Sequence, residues 1–142
     1  THKCVEIGLG QRELGASGIT VSTLFEARVF ADAGFDDITW AFPIVPSRIA
    51  EAVDLAGRIR LGVTVDSPEA IDLLQSAGSP FRVWLKVDAG YGSIRVGDLL
   101  TASPTPGHAM RAHEHLPGTI IGKALTSLET GVGTVRLLVM PD

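Results

Sequence analysis

The chain has 142 residues, 45% hydrophobic and 20% charged, with a formal net charge of −4. That is a globular composition, sized for one ordinary core or for two small units that lean on each other. No long basic run is present, so nucleic acid and anionic membrane are excluded as partners on electrostatic grounds.

At the start, THKCVEIG carries no signal-peptide pattern, and no apolar run in the chain approaches membrane-spanning length. Cys4 is the only cysteine, which excludes an internal disulfide and a thiolate metal cluster. A soluble, cytoplasmic protein is the expectation. CVEIGLGQRELGA has helical apolar spacing, weakened by Gly8 and Gly10. GITVST is short, β-branched and bounded by glycine, as a strand is. LFEARVFADAGF places Leu24, Ala27, Val29 and Phe30 at near-helical spacing and stops on Gly34. DDITWAFPI is the next strand, closed by Pro43.

The cycle repeats. VPSRIAEAVDLAGRI predicts a helix capped by Ser47, and RLGVTVDS a strand. Ser67 caps PEAIDLLQSAG, with Glu69 and Asp72 near its positive end. FRVWLKVDAGYG is the last strand of this half, with Phe81, Val83, Leu85 and Val87 alternating against Arg82, Trp84, Lys86 and Asp88. Strands alternating with helices imply right-handed βαβ crossovers and a parallel sheet.

After about Tyr91 that rhythm stops. SIRVGDLL, HAMRA, GTIIGKAL and GTVRLLVM are short β-type runs separated by the turns SPTPG, LPG and ETGVG. This spacing predicts an antiparallel meander or small barrel. Residues 1–92 hold 12 Asp and Glu against 8 Lys and Arg, whereas the remainder holds 4 of each.

The segments THKCVEIG, GITVSTLFEARVFADAGFDDITWAFPI and VWLKVDAGYG resemble the pyridoxal-phosphate enzymes of the D-threonine aldolase and D-serine dehydratase group. The resemblance covers roughly residues 1–92 and implies part of an alanine-racemase-like (β/α)8 barrel, the family's barrel being followed by a β-domain. Such enzymes carry "RPHxKTHK" after the first barrel strand, and its first lysine forms the Schiff base. Thr1-His2-Lys3 matches the tail of that segment, so the covalent lysine is expected immediately ahead of Thr1. The family's "KVDxGYxRxG" has its counterpart in Lys86-Val87-Asp88-Ala89-Gly90-Tyr91-Gly92-Ser93, with serine in place of arginine. The later strands that hold the cofactor phosphate, and a C-terminal histidine paired with Asp or Cys for a divalent metal, have no match. Residues from about 84 to 142 resemble instead a C-terminal β-module of bacterial surface and phage-tail-like proteins, carried by "VGDLLTASPTPGHAM" and "GTIIGKAL". The two resemblances overlap at KVDAGYG, which marks that stretch as a join.

Several constellations suggest chemistry. Gly90-Tyr91-Gly92 and Gly8-Leu9-Gly10 lack the helix and pattern of a phosphate loop, and a strand-to-strand turn is expected at the first. His108, His113 and His115 have no Cys or Asp at ligand spacing, which points to solvated loop histidines. Asp36, Asp37, Asp66 and Asp88 fall at strand ends, the last two at the carboxyl edge where α/β sites are built, and cap or turn roles are expected. Ser22, Thr23 and Ser67 are expected as helix caps, and Trp40 and Trp84 as core. No nucleophile-elbow motif argues for a hydrolase.

The expected architecture is α/β then β: about four parallel strands with helices, half of a (β/α)8 barrel over residues 1–92, joined to a small antiparallel β-module over 93–142, with strand 81–88 shared. The expected function is a non-catalytic, chimeric or fragment-assembled domain that folds and self-associates, with no catalytic, cofactor or metal residues assigned and no cofactor. The alternatives are a pyridoxal-phosphate-dependent, D-threonine-aldolase-like lyase or weakly binding remnant, and a structural surface module. Four parallel strands leave open edges, so a homo-oligomer is expected to cover them.

Overall fold

The computed structural model describes residues 3–78 and 80–139. They form two compact units, one of residues 3–63 with 80–82 and one of residues 64–78 with 83–139. Met140, the last residue of the expected strand GTVRLLVM, lies outside the described residues.

In the first unit, α1 (Val5–Glu13) leads to β1 (Ile19–Val21), α2 (Leu24–Asp32), β2 (Asp37–Pro43), α3 (Ile49–Ala56) and the start of β3 (Arg60–Val65). β1 and β2 are parallel, with Ile19 opposite Ile38 and Val21 opposite Trp40, and β3 follows beside β2. The core is built from Val21, Leu24, Ala27, Phe30, Ile38 and Leu55, all essentially without solvent exposure. α2 begins where Thr23 Oγ1 accepts the Glu26 N–H at 3.1 Å, and it ends at Gly34, whose φ of +88° suits only glycine. Phe30 and Phe35 meet edge to face with centroids 5.4 Å apart. Gly8 lets α1 come close, because a Cβ there would stand 3.0 Å from the Phe30 ring and 3.1 Å from the Phe35 ring.

Ser47 does not cap the third helix. Pro46–Arg48 forms a short 3-10 turn, α3 starts at Ile49, and no side chain caps it. The proline starts a turn in which Arg48, not Ser47, stands at the cap position of α3.

The second unit contains the end of β3, α4 (Pro68–Ser76), β4 (Arg82–Asp88), β5 (Leu99–Ala102), β6 (Ala109–Arg111), β7 (Gly122–Ala124) and β8 (Val132–Val139). Ser67 Oγ accepts the Ala70 N–H at 3.3 Å, so this cap is formed as expected. The strands run in the order β4-β6-β5-β7-β8, and β8 returns to pair with β4, which closes a five-stranded barrel. β4 and β8 are antiparallel over six residue pairs, from Val83 opposite Leu137 to Asp88 opposite Val132. Leu85, Val87, Ile94, Leu100, Ala109 and Val135 fill the interior.

One expectation is corrected here: the β-rich part is not purely antiparallel, since β4 and β6 pair in parallel through Val87 and Ala109. Of the meander and the small barrel, the barrel forms, and β4 is one of its strands. The period-two alternation that marked β4 explains this role: its buried residues Val83, Leu85 and Val87 all point inward. Among the described residues, no helix is long and apolar enough to cross a membrane.

Candidate functional site

At the carboxyl end of β1, Thr23 and Glu26 build a reciprocal cap. Thr23 Oγ1 takes the Glu26 N–H, while Glu26 Oε2 accepts the Ser22 N–H at 2.8 Å. The other carboxylate oxygen, Oε1, stands 3.1 Å from Lys3 Nζ. The Ser22 N–H, followed by the Lys3 ammonium, holds the Glu26 carboxyl below the usual carboxylate range, against the opposing effect of burial. Trp40, buried on β2, donates its indole N–H to the Ser22 carbonyl at 3.1 Å. The result is a rigid polar rim at the strand ends, with one cation and one carboxylate facing each other. Of these groups, Thr23 caps α2 and Trp40 is core as expected, whereas Ser22, also expected as a cap, enters through its backbone N–H and carbonyl. Glu26 went unread, although Thr23-Leu24-Phe25-Glu26 is the spacing of a capping box.

Asp36 and Asp37, at the start of β2, serve charge pairing. Asp36 pairs with Arg60 at 3.1 Å, and Asp37 is gripped by both arms of the Arg82 guanidinium.

In the second unit, Asp88 ends β4 and shapes the turn that follows. Its Oδ1 accepts the Gly90 N–H at 2.8 Å and its Oδ2 accepts the Thr105 hydroxyl at 2.7 Å. Thr105 first, then Gly90, hold the Asp88 carboxyl below its ordinary range, with a smaller contribution from His108. Gly90-Tyr91-Gly92 belongs to a short 3-10 turn, Ala89–Tyr91, rather than to an anion cradle. A cleft of about 40 Å³ is lined by Asp66, Ser67, Ile71, Leu85, His108 and Ile121, among others. His108 contacts the Pro106 carbonyl through Nδ1 at 2.9 Å, and His113 contacts the Tyr91 carbonyl through Nε2 at 2.9 Å. His113 and His115 are exposed and lie beyond β6, not on a common strand face. Among the described residues, no three His, Cys, Asp or Glu side chains gather as a metal site would require. Trp84 is half-buried on β4.

Residues 1–127 match the protein family described as Alanine racemase, N-terminal domain. The chain is 41% identical over 93 residues to the D-threo-3-hydroxyaspartate dehydratase of Delftia sp. (strain HT23), covering 62% of this chain and 24% of that protein. It is 35% identical over 102 residues to the D-threonine aldolase of an Arthrobacter species, covering 68% and 27% respectively. Among solved structures, the Delftia sp. HT23 dehydratase superposes with a TM-score of 0.53 at 41% identity, covering 57% of this chain and 23% of the other. The D-threonine aldolase of Filomicrobium marinum superposes with a TM-score of 0.52 at 32% identity, covering 58% and 24%. The chain thus spans about a quarter of the length of these relatives.

These matches correct three expectations. The family match runs to residue 127, through the region assigned to a separate surface module, and gives the chimeric join no support. A non-catalytic domain is overturned by relatives that are all enzymes. The expectation of no cofactor falls with it, since the family is one of pyridoxal-phosphate enzymes.

Pyridoxal phosphate does not fit the described residues taken alone. Small-molecule sites run to about 300–1,000 Å³, far above the 40 Å³ cleft, which also presents the Asp66 carboxylate to any phosphate. Lys3 is engaged by Glu26, and neither Lys86 nor Lys123 lines the cleft. Thr1 and His2, which precede Lys3 in the Thr-His-Lys tail, lie outside the described residues. The chain belongs to the alanine racemase N-terminal domain family.

Proposed function

We propose that this chain is a segment of a pyridoxal-phosphate-dependent enzyme acting on D-amino acids that carry a β-hydroxyl group. The 41% identity over 93 residues to a D-threo-3-hydroxyaspartate dehydratase carries this reading. The polar rim of Ser22, Thr23, Glu26 and Lys3 at the carboxyl end of β1 supports it, because that edge of a barrel-type α/β fold is where active sites assemble. In this reading β1–β4 are consecutive strands of the enzyme's (β/α)8 barrel. The covalent amine and the phosphate contacts come from residues of the enzyme other than those described, with the lysine immediately ahead of Thr1. The cofactor supplies the electron sink for carbanion chemistry at the substrate α-carbon. No step of that chemistry is assigned to residues of this chain.

The same reading includes self-association. Phe25 and Phe42 of the first unit are 71% and 59% exposed, apolar side chains that a second copy would cover.

The test is turnover by the chain joined to an Arg-Pro-His-x-Lys segment ahead of Thr1 and to the remaining barrel strands of the dehydratase. Ammonia release from D-threo-3-hydroxyaspartate, or acetaldehyde release from D-threonine, is expected. Racemisation of alanine without either product would move the assignment to the racemase branch, and no reaction with any of the three would overturn it.

A further inference from the structure

We infer that the small cleft of the second unit is a binding site for a short primary alkylammonium ion, with the aliphatic chain inside and the ammonium group on Asp66. The site has no part in the proposed reaction, so the two fail separately.

The cleft forms where several elements meet. Ile71 comes from the start of α4, Leu85 from β4 and Ala109 from the first position of β6, while Ile121 stands just ahead of β7. Ile71, Leu85 and Ala109 are no more than 5% exposed, so the walls are buried hydrocarbon. The cleft holds about 40 Å³. A single water-sized group needs about 10–15 Å³, so the space takes an aliphatic stretch of roughly three carbons. Burying an unpaired charge among hydrocarbon is costly, and the head group of a ligand therefore stays at the mouth.

That mouth is built from acceptors. Asp66, exposed where β3 ends, lines it with a carboxylate, and among the described residues no hydrogen bond or ion pair engages that side chain. His108 lines it too, with Nδ1 2.9 Å from the Pro106 carbonyl. A carbonyl only accepts, so Nδ1 carries the hydrogen and Nε2 of the neutral ring is left as an acceptor. Among the described residues, no Lys or Arg lines the cleft. The positive end of α4 begins at Ser67, but Glu69 sits in its first turn and the Ser67 hydroxyl already accepts the Ala70 N–H. An ammonium group brings three donors and a positive charge to this carboxylate and imidazole nitrogen. An anionic head group meets repulsion there.

The loop that presents His108 is held in place by its own bonds. The His108 N–H donates to the Thr105 carbonyl at 3.1 Å, and the Ser103 N–H donates to the His108 carbonyl at 3.1 Å. The Thr105 hydroxyl is tied to Asp88 at 2.7 Å. On the opposite wall, the Ser67 cap sets the path of the chain just after Asp66. Little ordering is left to binding, which suits a ligand with few atoms to contribute.

Amide NMR titration of the unextended chain at mildly alkaline pH tests the site, with propylammonium, methylammonium, 1-propanol and propionate as probes. Propylammonium is expected to give saturable shifts at Asp66, Ile71, Ala109 and Ile121. Methylammonium is expected to bind about tenfold more weakly, for the two buried methylenes it lacks. For 1-propanol the expected loss is about two- to fivefold, the range for one exposed ion pair, and propionate is expected not to saturate. Asp66→Asn should bring propylammonium down to the affinity of 1-propanol while the rest of the spectrum stays in place. Equal binding of methylammonium would reveal a bare surface counter-ion and overturn the site. Equal binding of propionate, or undiminished binding in Asp66→Asn, would overturn the role given to the carboxylate. No saturable shift with propylammonium would overturn the inference altogether.

Discussion

Thr105 donates its hydroxyl to Asp88 at 2.7 Å, joining the loop after β5 to the end of β4 across 17 residues. The same carboxylate accepts the Gly90 N–H, so one side chain organises both the turn leaving β4 and the loop that returns to it. Asp88, expected as a turn residue, is the hub of this corner.

This contact gives the second unit a pH dependence. Thr105 and Gly90 hold the Asp88 carboxyl below its ordinary range in the folded chain. A carboxyl whose folded pKa lies below its unfolded value stabilises the fold once it is ionised. The contribution is therefore complete above the ordinary carboxylate range and disappears as pH falls through the lowered value. Thr105→Val is expected to move the Asp88 carboxyl back toward its ordinary range in a carboxyl-carbon NMR titration. An unmoved titration would show that the hydroxyl does not govern it.

The two glycines of α1 separate by their surroundings. Gly10 has nothing near the place a Cβ would occupy, so Gly10→Ala is expected to stabilise by about 0.5–1 kcal/mol through helix propensity. Gly8 faces the Phe30 and Phe35 rings, and Gly8→Leu is expected to cost about 1–3 kcal/mol by overpacking. Denaturant unfolding of both variants, with opposite shifts of the midpoint, is the check.

Loss of the α2 cap is expected to cost about 1 kcal/mol in Thr23→Ala, because the Glu26 N–H loses its acceptor. The drop in unfolding midpoint should be matched by increased exchange at the Glu26 amide.

In the barrel, Leu100 is fully buried, and Leu100→Ala is expected to destabilise by about 2–5 kcal/mol through lost burial and a cavity. Thermal unfolding measures this directly, and a loss below about 1 kcal/mol would mean the site collapses around the gap.

The helices were legible where a local cap announced them: Thr23 and Ser67 both accept the N–H three residues on. Ser47 misled because Pro46 precedes it and diverts the chain into a 3-10 turn. SIRVGDLL reads as one short β-type run, yet β5 begins only at Leu99. Asp98 Oδ2 accepts the Arg95 N–H at 2.8 Å and Gly97 takes φ +95°, which bends Arg95–Asp98 into a turn. A small barrel was legible as one of two arrangements, but its closing pair was not, since β4 meets β8 about fifty residues later and nothing in either strand names its partner. The candidate rim was partly legible: Thr23 was read as a cap, but Glu26 and its bond to Lys3 depend on how α1 folds back.

The most direct measurement is peptide mapping after borohydride reduction of the chain, extended by Arg-Pro-His-x-Lys and saturated with pyridoxal phosphate. The expected result is one modified peptide, carrying the cofactor on the lysine immediately ahead of Thr1 and leaving Lys3, Lys86 and Lys123 unmodified. Modification spread over Lys3, Lys86 and Lys123, or absent altogether, would contradict the assignment of this chain to a pyridoxal-phosphate enzyme with its amine at that position.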